Sequence, residues 1–128
     1  MLFDIPKLTD AYLLKIESDY TVLHFNEIPM LFSGKNKYGN RIVGSIMCED
    51  EDKDIERYLY ILVLEADYIK FIKRKISYMK LIEKQTQVFI IDKNCSDGTK
   101  KIYCLHLSEI PPCYLPNDKI FCPVQKKK

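Results

Sequence analysis

The chain has 128 residues, a length that suits one domain. Apolar residues make up 47% and charged residues 30%, which excludes a disordered tail, a collagen-like repeat and a membrane-embedded protein. The net charge of +2 is too small to imply a polyanion partner by itself. The longest apolar run, Tyr58 to Leu64, falls far short of a membrane span. The opening MLFDIPKLTD lacks the basic start and apolar stretch of a secretory signal. The expectation is a cytoplasmic protein without membrane contact.

Residues 1–10 form an opening segment, in which Pro6 removes a backbone donor and argues against a central strand. YLLKIES (12–18) and YTVLHF (20–25) are rich in β-branched and aromatic residues, and Ser18-Asp19 reads as a turn between two strands. IPMLFSGK (28–35) continues as a strand. Residues 36–40 read as a hairpin loop because Gly39 and Asn40 tolerate positive φ. RIVGSIMC (41–48) is its partner strand. After the acidic stretch Glu49–Glu56 comes RYLYILVL (57–64), apolar at every position after Arg57. That pattern predicts a central strand covered on both faces and paired with 41–48.

The period then changes. Ile69, Ile72, Ile76, Met79 and Ile82 recur at steps of three and four, a helical stripe. Asp67 and Ser77 are candidate caps, which predicts two short helices with a corner near Lys75. The β pattern returns in TQVFIID (86–92) and KIYCLHL (101–107), joined by a loop at Ser96–Thr99. Pro111, Pro112 and Pro116 forbid a regular helix in the arm that follows, and residues 108–128 read as irregular with a frayed lysine tail. The order predicts one α+β domain over 1–128: an antiparallel sheet of five to seven strands with one helical layer made of two short helices.

No catalytic, cofactor or metal motif emerges. Gly34 and Gly39 have phosphate-loop spacing, but Asn40 and Arg41 stand where Lys and Ser or Thr are needed, and a strand follows. Asp50, Asp52 and Asp54 alternate like the first ligands of a calcium loop, but Ile55 and Ile61 occupy the Gly and Glu positions. Cys104 and His106 lie two apart on one strand face, which admits a metal pair or a nucleophile and base. Direct neighbours on a face stand too far apart for proton transfer, and no third group orients them. His24, between Leu23 and Phe25, reads as a strand histidine. The five cysteines, Cys48, Cys95, Cys104, Cys113 and Cys122, include no close pair of the kind zinc sites use. Reduced thiols are expected.

Charge is segregated. Six basic residues and one acid lie between Lys70 and Lys84, against six acids and one lysine between Glu49 and Glu56. The candidate interaction surface therefore comprises Lys70, Lys73, Arg74 and Lys80 on the helices and Asp50, Asp52 and Asp54 in the acidic stretch. A basic helix can lie on phosphate, and Tyr68 and Tyr78 could add stacking. Charge-directed protein binding is at least as natural.

The stretch PMLFSGKNKYGN, the acidic EDEDKD and ERYLYILVLEADYIKFIKRKISYMKLI together resemble an uncharacterised bacterial family. Its pattern is a "PLLF-S-x-K" hairpin, an acidic turn, an "R-[WY]-L-Y" strand, and two helices, the second opening on "I-S-L-R". SEIPPCYLPNDKIF is similar to that family's "I-P-x-x-Y-L-P" closing arm, so the resemblance covers roughly residues 1–122. Arg74-Lys75 stands where the family carries a Gly between its helices, and Lys80 is shifted by one from the family's Arg. The resemblance implies two helices rather than one. It carries no site residues.

These readings favour a non-enzymatic protein-interaction module without a cofactor, an accessory subunit of a bacterial system such as a phage-defence or mobile-element one. The alternative is nucleic-acid binding through helix 69–84. A third reading is a small enzyme or ligand-binding domain whose site is assembled from distant residues. The cysteine reading is checked directly: thiol titration of the denatured, unreduced protein should count all five cysteines, and a count of three or one would sink it.

Overall fold

Segments rich in β-branched and aromatic residues build six strands, and these pair in chain order into one antiparallel sheet. The strands are β1 (Ser18–Asn26), β2 (Ile28–Lys35), β3 (Arg41–Asp50), β4 (Ile55–Val63), β5 (Gln87–Asn94) and β6 (Lys100–His106). Two short helices, α1 (Glu65–Ile72) and α2 (Tyr78–Glu83), interrupt the meander between β4 and β5. The structure, a computed structural model, describes residues 13–26, 28–50, 54–85, 87–110, 115–116 and 119–123. The α+β class and the antiparallel sheet match the expectation. No helix among the described residues is long and apolar enough to cross a membrane.

β3 and β4 are neighbours as expected, with Val43 opposite Ile61 and Ser45 opposite Leu59. The pairing continues into the acidic stretch, where Glu49 faces Glu56 and Asp50 faces Ile55 in register. The strand expected at 12–18 is not formed: residues 13–17 are irregular, and β1 starts at Ser18. Asp19, expected in a turn, lies inside β1 at φ 55, beside register shifts in the β1–β2 pairing. The chain then folds back, so β2 pairs antiparallel with β1 rather than extending it. In the β2–β3 turn only Gly39 takes positive φ, at 83°. Asn36 does the rest. Its buried amide oxygen accepts from the backbone N–H groups of Tyr38 and Asn40 at 2.9 and 3.0 Å.

The helices cover one face of the sheet. Phe71, Tyr78, Leu81 and Ile82 pack on Leu31, Val43, Leu59, Ile61, Val88 and Ile90. Two serines on strands β2 and β3 receive tyrosine hydroxyls from above. Ser33 Oγ stands 2.6 Å from Tyr68 Oη, and Ser45 Oγ 2.7 Å from Tyr78 Oη. The predicted stripe needs correction. Ile69 is 45% exposed, whereas Phe71, outside the stripe, is fully buried. The face of α1 turned to the sheet carries Tyr68, Phe71 and Ile72, and the helix starts at Glu65 with Leu64 as its cap, three residues before the candidate cap Asp67. Asp67 instead pairs with Lys84 at 3.7 Å, tying α1 to the end of α2. Ser77 caps α2 as expected, accepting from Lys80 N–H at 3.2 Å.

The corner between the helices is a Schellman turn. Lys75 N–H donates to Lys70 O at 2.8 Å and Arg74 N–H to Phe71 O at 3.0 Å. Arg74 sits at φ 62, the left-handed conformation that glycine adopts without strain. The closing arm seats its described residues on the same layer: Cys122 is fully buried, and Ile120 O accepts from Tyr78 N–H at 2.8 Å.

A left-handed non-glycine residue costs about 1 kcal/mol or more. Arg74→Gly should therefore unfold at higher denaturant than Arg74→Ala, by about 1 kcal/mol in urea titrations. Both variants lose the charge, so equal midpoints would show the turn to be unstrained.

Candidate binding site

Among the described residues, no helix lies on the second face of the sheet. Tyr58, Tyr60 and Leu62 of β4 point to it, opposite in sense to the buried Leu59, Ile61 and Val63. The expectation that both faces of β4 are covered is thus corrected. Residues 58, 60 and 62 are only half-buried. Leu14, Phe89 and Ile91 form a small second core here, and Leu13, Ile102 and Cys104 pack around it.

A groove of about 530 Å³ opens beside that core. Its rings are Tyr20, Phe32, Tyr58 and Tyr60, and its cations are Lys15, Lys93 and Lys100. The rings form a connected set: Tyr20 to Phe32 at 6.0 Å, Phe32 to Tyr58 at 6.2 Å, Phe32 to Tyr60 at 5.6 Å and Tyr58 to Tyr60 at 6.4 Å. The last three are edge-on contacts, a favoured geometry for aromatic quadrupoles. Gly44 makes room for Phe32 at its centre: a Cβ there would stand 2.6 Å from Phe32 Cε2. Tyr20 is the open ring, 55% exposed.

Burial holds the floor phenols neutral. Tyr60 is pushed up from 10.0 to about 12, mainly by desolvation and then by Tyr20 nearby. Tyr58 is raised further by burial, and its hydroxyl donates to Glu56 Oε1 at 2.9 Å. Lys93 and Lys100 are direct register partners on β5 and β6, so two like charges stand opposite each other.

The residues chosen from sequence scatter. Lys70, Lys73, Arg74 and Lys80 are all exposed on the helical side, away from the groove. Lys80 pairs with Glu83 at 3.7 Å. Lys70, Lys73, Arg74 and Lys75 have no ion pair among the described residues. Asp50 extends β3, and Asp52 lies outside the described residues. Asp54 has a structural task. At φ 56 it accepts from Ser96 Oγ at 2.5 Å through its carboxylate and from Cys95 N–H at 2.8 Å through its carbonyl. It thereby ties the acidic stretch to the β5–β6 turn. No three metal-ligating side chains converge among the described residues.

Tyr68 and Tyr78 are not stacking rings for a ligand on the helices. Both hydroxyls are spent on the sheet, Tyr78 is buried, and Arg41 covers the Tyr68 ring at 4.3 Å. Cys104 faces the second core, and desolvation raises its thiol pKa, the opposite of a nucleophile's environment. His106 turns to cap the 3₁₀ turn Leu107–Glu109, with Nδ1 2.7 Å from Ser108 Oγ. Cys95, Cys104 and Cys122 form no disulfide among the described residues. His24 is exposed and borders a separate apolar cavity of about 520 Å³ beneath the closing arm.

Compared with family models, curated proteins and solved structures, the chain gives no match.

Sequence reasoning missed the groove because its residues come from five strands and the irregular residues 14–16. The one signal was the unbroken apolar run of β4, whose alternate members are tyrosines.

The folded-state phenol of Tyr60 titrates above its ordinary value, so its contribution to stability is complete below pH 10.0 and is lost as pH rises toward about 12. Alkaline ultraviolet titration should show a late phenol that Tyr60→Phe removes. Tyr60→Phe should also flatten the stability loss in that window, and an unchanged profile would place Tyr60 in water.

Proposed function

We propose that the chain is a non-enzymatic protein-interaction module that docks an acidic partner surface on the corner between α1 and α2. One observation carries this reading: Arg74 puts a long cation at φ 62, where the backbone favours glycine. Residues so strained are held by the structure around them and cluster at functional sites. The neighbours support it. Lys70, Lys73 and Lys75 stand exposed on the same corner, and no ion pair among the described residues engages them.

The other cations contrast with these. Arg57 makes a two-pronged pair with Asp92 at 2.6 and 2.8 Å, and Arg41 another with Glu65 at 2.9 and 3.0 Å. Those arginines serve the fold; the side-chain cations of the corner make no ion pair among the described residues. Complementary charge of this kind speeds encounter and selects partners. Nucleic acid on the same corner is the weaker reading, because Tyr68 and Tyr78 are turned to the sheet and offer no ring to a base.

The test is affinity purification from the native host at low salt, with nuclease treatment. A protein should be retained by the native chain, released by high salt, and lost with K73E/R74E. That variant should keep the native unfolding midpoint, since both side chains are exposed. Equal recovery by the variant, or loss on nuclease treatment alone, would defeat the proposal.

A further inference from the structure

The groove on the open sheet face is a second surface, remote in the fold from the helical corner, and its chemistry is different. Its rings lie between cations. Lys15 stands at the β1 side, in an exposed pair with Glu17 at 3.9 Å, and Lys93 and Lys100 stand at the β5–β6 side. Between them Tyr20, Phe32 and Tyr58 follow one another at 6.0 and 6.2 Å. The Lys93–Lys100 register pair sets like charges against each other, an arrangement that destabilises a bare sheet and that an anion relieves. The one carboxylate in register beside them, Glu56 opposite Lys93, is hydrogen-bonded to Tyr58. Neither Lys93 nor Lys100 has an ion pair among the described residues.

We propose that this groove binds a short stretch of single-stranded nucleic acid, a base stacked on the exposed Tyr20 ring and others against the half-buried Tyr58 and Tyr60 over the buried Phe32, and its phosphates at the lysines on either side. Cations at both ends suit a ligand with more than one phosphate, and a single phosphate cannot occupy both. The floor phenols stay neutral well above physiological pH, so the rings add no repulsion toward a polyanion. Base stacking on aromatic rings tolerates any sequence, so binding should show little preference among bases. A duplex should bind poorly, because its bases are already stacked on one another.

Fluorescence anisotropy of short labelled single strands, as DNA and as RNA, tests this on the full chain. Binding in the micromolar range is expected at low salt. The log–log salt slope should be about −2, the value for three phosphates on a single strand. Tyr20→Ala should weaken binding about tenfold, since one stacked base contributes on that order. Tyr20 is mostly exposed, so its loss should leave the unfolding midpoint in place. The double variant K93A/K100A should weaken binding and bring the slope to about −0.7, the value for one phosphate. K73E/R74E should bind as the native chain does, which separates this groove from the helical corner.

Several outcomes would overturn the proposal. One is no response to either strand at high protein concentration. Another is a mononucleotide that competes as well as a longer strand, which would make the groove a small-ligand pocket. A third is a loss of binding in K73E/R74E but not in Tyr20→Ala. A fourth is self-association that Tyr20→Ala abolishes without any response to nucleic acid, which would give the face to a second copy.

Discussion

The hydroxyls of Tyr68 and Tyr78 reach Ser33 and Ser45 on strands β2 and β3 at 2.6 and 2.7 Å, and through them the helical layer is seated on the sheet. Each serine is small enough to admit a ring over the strand, and each supplies the polar partner that a buried phenol requires. Burial raises the Tyr78 phenol far above its ordinary range, so that hydroxyl is available only as a neutral group. Around these two bonds the apolar contacts close, with Phe71, Leu81 and Ile82 fully buried beneath the helices. Arg41 adds a clamp at the start of α1, lying over the Tyr68 ring while pairing with Glu65. The pair lowers the Glu65 carboxyl pKa, chiefly through the hydrogen bond, and raises that of Arg41 by the same bond.

Seating both helices on one face leaves the other to its own side chains. A six-stranded sheet cannot leave such a face wholly apolar in water. Here Leu13, Leu14 and Ile16 cover part of it, with Ile16 lying over Gly34. The remainder is faced with the rings of Tyr20, Phe32, Tyr58 and Tyr60, of which Tyr58 donates its hydroxyl to Glu56, and with lysines at the margins. The groove is therefore a consequence of where the helices sit. Its aromatic floor is stabilising as packing and, at the same time, chemically suited to flat ligands.

Charge is sorted in the same way. The cations that the fold uses are paired and orient elements: Arg41 with Glu65, Arg57 with Asp92, Lys84 with Asp67. Lys70, Lys73, Arg74 and Lys75 at the helical corner and Lys93 and Lys100 at the groove margin make no ion pair among the described residues. The two sets face different sides of the sheet. A net charge of +2 conceals this arrangement, because the total says nothing about placement.

Local chemistry made much of the fold legible. The β-branched runs in 41–48 and 87–91, the acidic stretch after the first of them, and Ser77 as a cap are properties of neighbouring residues, and the chain alone determined them. The helical corner was legible for the same reason, since Ser77 and the change of period bracket it. Phe71 could not be read as core, nor Ile69 as surface, because the face that α1 turns to the sheet is set by long-range contacts such as Tyr68 with Ser33 and Arg41. The run 57–64 was ambiguous in principle: an apolar strand reads alike whether its second face is covered or lines a groove. Only the pairing of six strands brought Tyr20, Phe32, Tyr60 and Lys100 together, from positions up to eighty residues apart. Sequence spacing carries no signal for such a set, because strand order and register, fixed by burial of the opposite face, decide which side chains meet.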